Sequence, residues 1–320
     1  MKKILITGGA GFIGTNIIKK LIKKKFTIYV VDNKNLNKEN NLYIFKNKKN
    51  FYYIKSDLSK KRFYKNFRTK VDVILHLASG VGVSSYIKDP YNLILSIFYP
   101  TINLLSLSKK FNSHFIFAST SEIYGKNLKL PWHETSDRVL GPTNISRWSY
   151  SSVKSTCEHL LHGFEKKYPK FKFTIIRLFN IYGPYQRPNF IISSFVDKII
   201  NNKKINIYDD GKMTRCFTFV DDACDCIIKM FNNKKSYSES FNVGANKEHS
   251  ILEVKKIFEK IHKKKIKYNF VNTQKLYKNK YEDILRRVPK VDKVKQKISW
   301  KANTSLEEGI KKTYKFYKNM

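Results

Sequence analysis

The hydrophobic positions of the chain change their spacing at regular intervals. Residues 4–7, 27–31, 51–54, 71–77, 114–118 and 174–178 form short, nearly unbroken apolar runs, the pattern of strands covered on both faces. Between them, residues 16–24, 91–110 and 151–168 repeat their apolar positions at helical spacing. Alternation of this kind predicts an α/β fold, a doubly wound parallel sheet with helices on both faces. Beyond about Phe179 the pattern shifts to helices at 191–201, 251–263 and 306–317, separated by short strands and loops. That predicts a first domain over residues 1–178, with residues 214–230 returning to it, and a smaller C-terminal α/β lobe over 179–320. Gly183-Pro184 and Asp210-Gly211 mark turns near the junction.

The first strand runs straight into Thr7-Gly8-Gly9-Ala10-Gly11-Phe12-Ile13-Gly14, and a helical pattern follows. Gly8 allows a sharp turn off the strand, Gly11 lets backbone approach a pyrophosphate, and Gly14 lets the helix pack closely on the sheet. The helix N-terminus then presents free N–H groups and the positive end of its dipole to phosphate. Asp32 closes the second strand, where a carboxylate accepts hydrogen bonds from ribose hydroxyls and repels a 2′-phosphate. The first domain is therefore expected to be a Rossmann-type domain that binds NAD rather than NADP. Asp57, in Ser56-Asp57-Leu58, is a further candidate near the adenine.

Composition changes this picture little. Hydrophobic residues make up 42% of the 320, enough for a sizeable core. No stretch approaches the roughly eighteen apolar residues of a membrane span. The N-terminus enters a strand at once, without a secretory pattern. Cys157, Cys216, Cys224 and Cys226 form no Cys-x-x-Cys pair, and no histidine cluster has metal-ligand spacing. The expectation is buried, reduced thiols in a cytoplasmic protein without a metal. The net charge of +38 admits nucleic-acid binding. Its lysines, however, are scattered among Asn and Ile along the whole chain, and no RNA-binding motif accompanies them. A specific nucleic-acid partner is not expected, but attraction of anionic small molecules is.

Tyr150 and Lys154 lie one helical turn apart in Tyr150-Ser151-Ser152-Val153-Lys154. An ammonium beside a phenol favours phenolate, so Tyr150 is a candidate general base. With this pair, the ordered motifs of the chain resemble those of the extended short-chain dehydrogenase/reductases, the NAD-dependent nucleotide-sugar epimerases, dehydratases and decarboxylases. They are residues 7–14, His76-Leu77-Ala78, residues 119–125, Tyr150 with Lys154, residues 177–184, Asp210-Gly211 with Thr214-Arg215, and residues 219–222. The resemblance implies that Thr120 binds the sugar hydroxyl to be oxidised, Tyr150 takes its proton, and Lys154 holds the nicotinamide ribose. Hydride would pass from the sugar, usually from C4, to NAD. Leu77 would line the cofactor site. Ser84, Asn180, Arg187, Arg215 and Asp222 would bind substrate, Asn180 and Arg215 at the diphosphate. The resemblance also implies a homodimer, formed through the helices at 91–110 and 150–168. One departure is local: Ile97 and Pro100-Thr101 stand where the family often has Asn and Gly-Thr.

A 4-keto sugar can be epimerised, dehydrated or decarboxylated. Family dehydratases typically carry Thr-Asp-Glu where this chain has Thr120-Ser121-Glu122, and a serine is too weak an acid to protonate a departing hydroxyl. Ser-Glu, together with Arg147-Trp148-Ser149-Tyr150, resembles the UDP-glucuronate decarboxylases. Arg287 matches their arginine for the substrate carboxylate, although in so basic a chain it reads equally as a surface charge. The short loop at 183–190 resembles the epimerases instead. The expectation is a UDP-glucuronate decarboxylase-like enzyme with Thr120, Glu122, Tyr150, Lys154 and Arg287 as catalytic residues. The alternatives are a UDP-glucose or UDP-glucuronate 4-epimerase and a 4,6-dehydratase. Outside enzymes they are a dinucleotide sensor, which should have lost Tyr150 or Lys154, and an RNA binder.

Overall fold

The computed structural model describes residues 1–277 and 282–319, apart from the side chains of Val83, Ser84 and Tyr277. In chain order its first half contains β1 (Lys2–Thr7), α1 (Phe12–Leu21), β2 (Phe26–Asp32), β3 (Phe51–Lys55), α2 (Lys61–Asn66), β4 (Val73–His76), α3 (Val83–Lys88), α4 (Pro90–Phe111), β5 (His114–Thr120), α5 (Arg147–Lys167) and β6 (Lys172–Leu178). All six apolar runs form strands. They make one parallel sheet in the order β6-β5-β4-β1-β2-β3, and Glu239–Val243 adds a seventh parallel strand beside β6. That strand comes from the second half of the chain and was not among the expected ones.

The unbroken apolar runs have a direct cause. Successive side chains of a strand point to opposite faces. Ile4 and Ile6 join one core with Ile28, Val30, Val73 and Leu75. Leu5 joins the other with Val31, Ile74, Phe115 and Phe117. Helices cover both faces, so neither alternate set can be polar. Next to the sheet, α7 (Val220–Met230), the seventh helix in chain order after α6 (Ile191–Ile200), packs against α1.

The strand order reverses between β1 and β4, and crevices for ligands open at such a point, beyond the carboxyl ends of the strands. The C-terminal part of the chain is assembled over this end from strand pairs. Ile205–Tyr208 runs parallel to Tyr268–Val271, and Thr214–Arg215 antiparallel to His249–Ser250. A third apolar cluster gathers Ile123, Tyr124, Trp132, Trp148, Phe179 and Ile284. Among the described residues no helix is long and apolar enough to cross a membrane. All four cysteines are buried free thiols.

Candidate active site

The glycine turn is required by sterics. Gly8 has φ +68°, and a Cβ there would fall 2.7 Å from the Ala78 Cα. A Cβ on Gly14 would fall 2.6 Å from the Gly9 Cα, so α1 could not sit so close to the turn. Gly11 is the N-cap of α1, no side chain caps that end, and its first turn holds no acid. The N–H groups at the start of α1, beside Phe12 and Ile13, therefore open towards the crevice with the positive end of the dipole. Asp32 is buried at the end of β2, its Oδ2 accepting the Ala10 N–H at 3.0 Å and its Oδ1 the Lys34 N–H at 3.2 Å. This cradle fits a dinucleotide: N–H groups for the pyrophosphate and a carboxylate for the ribose. Leu77 follows directly on β4, half-buried. Asp57 is exposed, and its Oδ1 accepts from the Ser59 N–H and hydroxyl in a local turn.

Below the crevice, His76 Nδ1 lies 2.7 Å from the Thr7 hydroxyl and Nε2 lies 3.2 Å from the Thr101 hydroxyl. Burial, aided by the Lys154 cation, lowers the His76 pKa to about 3, so the ring is neutral. α4 runs through Pro100 without ending, and Thr101 ties it to β4. The departure seen at Pro100-Thr101 is thus absorbed into the helix.

Thr120 ends β5, and α5 brings Tyr150 and Lys154 alongside. The Tyr150 phenol hydrogen-bonds with Thr120 and with Ser79, a residue the sequence reading missed. The Lys154 ammonium donates to the Ala118 carbonyl at 2.8 Å and lies 5.9 Å from the centre of the Tyr150 ring. One expectation needs correction here. Burial, and then the negative charge of Glu122, raise the Tyr150 pKa, and the two hydroxyl partners only partly offset this. Burial also lowers Lys154 to about 8. The neighbouring lysine therefore does not by itself make Tyr150 a base at neutral pH.

The other half of the site is a chain of charges. Glu122 Oε2 pairs with Arg147 Nη2 at 3.0 Å, and its Oε1 with Arg287 Nη1 at 2.5 Å. Asp283 lies 3.9 Å from Arg147 Nη2 and 3.1 Å from Arg215 Nη2. Burial alone would raise the Glu122 pKa, but Arg147, Arg287 and Arg215 hold it down to about 2. Glu122 is therefore a carboxylate at any ordinary pH. Arg287 is buried, with its Nε unpartnered, and is not a surface charge. Asn180, held at φ +38° after β6, likewise has a buried Nδ2 without a partner.

Some expected residues stand apart from this cluster. Arg187 is exposed on the loop before α6. The Asp222 carboxylate accepts from the Asn303 and Thr304 N–H groups at 3.2 and 2.9 Å and so secures a C-terminal turn. The Ser84 side chain lies outside the described residues. Arg147 and Asp283 were missed as charge partners. For Arg147 there was a signal, since it sits three residues before Tyr150 on the same helix.

The family model described as GDP-mannose 4,6 dehydratase matches residues 5–313. The chain belongs to this family. Its members are NAD-dependent epimerases, dehydratases and decarboxylases of the extended short-chain dehydrogenase/reductase group. The chain is 34% identical to the UDP-N-acetyl-alpha-D-glucosaminuronate decarboxylase of Bacillus cytotoxicus, over 100% of this chain and 98% of the relative. It is 29% identical to UDP-glucuronic acid decarboxylase 1 of Arabidopsis thaliana, over 99% of this chain and 70% of that protein. Its fold matches the UDP-glucuronic acid 4-epimerase of Bacillus cereus, solved with UDP-glucuronic acid and NAD, with a TM-score of 0.88 and 27% identity over 99% of both chains.

Proposed function

We propose that this protein decarboxylates a UDP-linked hexuronate through a transient 4-keto sugar. The observation that carries the reading is a buried Ser121 beside a Glu122 whose two oxygens are paired with Arg147 and Arg287, which hold it as the carboxylate. A dehydratase needs an acid there to protonate the leaving hydroxyl, and neither group can serve. A 4-keto hexuronate is a β-keto acid and loses CO2 without such an acid. The UDP-hexuronate decarboxylases among the relatives support this reading.

In this reading Asp32 and the first turn of α1 hold NAD, which supplies the hydride acceptor and a positive charge beside Tyr150. The Tyr150 oxygen takes the proton of the C4 hydroxyl while Thr120 and Ser79 orient it. Lys154 keeps a cation next to the phenol as it ionises. Asn180 and Arg215 bind the diphosphate. Arg287 reaches the substrate carboxylate with the Nε that Glu122 leaves unpartnered. Arg187 and Asp57 bind at the rim. Asp222 acts on substrate only through the turn it secures. A second copy of the chain pairs through α4 and α5, covering Tyr91 and Tyr99, which are exposed on α4.

The test is incubation with UDP-glucuronate, UDP-N-acetylglucosaminuronate and UDP-glucose in turn, followed by mass spectrometry. Loss of CO2 from a uronate, with the neutral sugar inert, is the expected result. An unchanged mass with a new C4 epimer establishes the 4-epimerase instead, the reading that the likeness to the Bacillus cereus enzyme favours.

A further inference from the structure

We propose that Arg147 is a positioning residue: its guanidinium fixes the Glu122 carboxylate and links it, through Asp283, to Arg215 at the diphosphate subsite. The proposal rests on the reading above, in which Glu122 and Arg215 face substrate. Arg147 is 1% exposed at the first turn of α5, an environment in which an arginine is stable only with partners on hand. Its Nη2 faces Glu122 at 3.0 Å and Asp283 at 3.9 Å, and its Nη1 donates to the Tyr86 hydroxyl at 3.3 Å. Asp283 in turn holds Arg215 Nη2 at 3.1 Å. The order Arg287–Glu122–Arg147–Asp283–Arg215 thus runs without a break from the candidate carboxylate subsite to the candidate diphosphate subsite.

The geometry constrains each member. Glu122 has one oxygen on Arg287 and the other on Arg147, so its plane is fixed from both sides. Arg287 comes from the far end of the chain, whereas Arg147 stands on the same helix as Tyr150 and Lys154. Arg147 therefore sets Glu122 relative to the reacting phenol. Diphosphate bound at Arg215 competes with Asp283 for that guanidinium. Asp283 is then left with Arg147, which pulls on the clamp around Glu122. Occupancy of the nucleotide subsite is in this way transmitted to the carboxylate beside the sugar. The groups facing Glu122 are Arg147 and Tyr150 from α5, Arg287 from near the C-terminal end, and Arg215 from the strand Thr214–Arg215.

The experiment compares Arg147→Lys, Arg147→Met, Asp283→Asn and Tyr86→Phe with the wild type, using the uronate that the protein turns over. Turnover, KM for the nucleotide-sugar and Ki for free UDP as inhibitor are followed from pH 4 to 9, and bound NAD is followed by fluorescence. Arg147→Met should lower kcat on the order of a hundredfold and bring an acidic limb of kcat up into the window from pH 4 to 9, where the wild type, whose Glu122 is held down to about 2, has none from this group, with Arg147→Lys recovering part of both. Asp283→Asn should shift the same limb by less and change the affinity for UDP, because it alone cuts the link to Arg215. Should Arg147→Met fail to fold, Asp283→Asn, which removes the charge facing both Arg147 and Arg215, and Tyr86→Phe, which removes the hydroxyl facing Arg147, decide the matter alone. If no folded variant shows an acidic limb that the wild type lacks, the proposal is overturned. Glu122→Gln tests the underlying reading separately: if it turns over like the wild type, Glu122 is not at the reacting sugar and the reading itself falls.

Discussion

On one side of the crevice, between Thr7 and Gly14, recognition is made of backbone: a turn at φ +68°, an uncapped helix end and glycines whose missing side chains let two segments touch. On the other side, between Glu122 and Asp283, it is made of charge, with two half-buried acids interleaved among three buried arginines. The first kind of site is rigid once the chain has folded and binds what any dinucleotide offers. The second depends on ionisation, and a single substitution leaves its neighbours unpaired in a medium that solvates them poorly. The fixed side suits a cofactor common to a whole family, and the charged side is where members acting on different sugars have room to diverge.

The sharpest way to break this contrast is Glu122→Gln, which should cost about 3 kcal/mol of stability near neutral pH, because Arg147 and Arg287 each lose a buried partner. The loss should depend on pH in a defined sense. The carboxyl group's ordinary value of 4.5 is depressed to about 2 in the folded chain. Its contribution is therefore fully present above about 4.5 and disappears as pH falls through about 2. Urea midpoints of wild type and variant should stay apart from pH 7 to 5 and converge below that. A gap that holds constant down to pH 3 would mean that the cluster is not the source of the stability.

A smaller effect is expected on the backbone side. Asp32→Ala removes the carboxylate but leaves the glycines and the helix end in place. NAD affinity should fall by about 1.5–3 kcal/mol, the range for hydrogen bonds to a charged group. Preference for NAD over NADP should narrow, since the repulsion of a 2′-phosphate goes with the charge. Equal binding of both cofactors by the wild type, measured by fluorescence titration, would remove Asp32 from the ribose.

How far each side could be read in advance follows from the same difference. The glycines from Gly8 to Gly14, Asp32 at a strand end, and Tyr150 four residues before Lys154 are local patterns, set by one turn, one strand and one helix. The six strands were legible because a sheet covered on both faces demands unbroken apolar runs. The charged cluster joins residues 25, 68 and 165 positions apart: Arg147 with Glu122, Asp283 with Arg215, Arg287 with Glu122. With 63 basic residues in the chain, an arginine carries almost no positional information. The acids, only 25 in number, carry more, and Glu282-Asp283 in a lysine-rich stretch was the mark that went unread. The effect of Lys154 on Tyr150 was misjudged for a related reason. Spacing shows that two groups are near, but burial decides which way the proton moves.

The smallest prediction places a matched pair of glycines on the two sides. Gly14→Ala drives a methyl group into the Gly9 backbone and should weaken both folding and cofactor binding. Gly163 lies on an exposed face of α5, the helix that carries Arg147, Tyr150 and Lys154, and a Cβ there meets nothing within 4 Å. Glycine inside a helix costs about 0.5–1 kcal/mol relative to alanine, through the freedom it gives the unfolded chain. Gly163→Ala should therefore raise the melting temperature by about one degree at unchanged kcat, which calorimetry and a steady-state assay will show. The same variant bears on the proposed dimer. If a second copy packs directly over Gly163, the added methyl meets it, and the gain over the wild type shrinks or reverses as protein concentration rises into the range where the wild type dimerises. A gain that is the same at all concentrations places the contact elsewhere on α4 and α5.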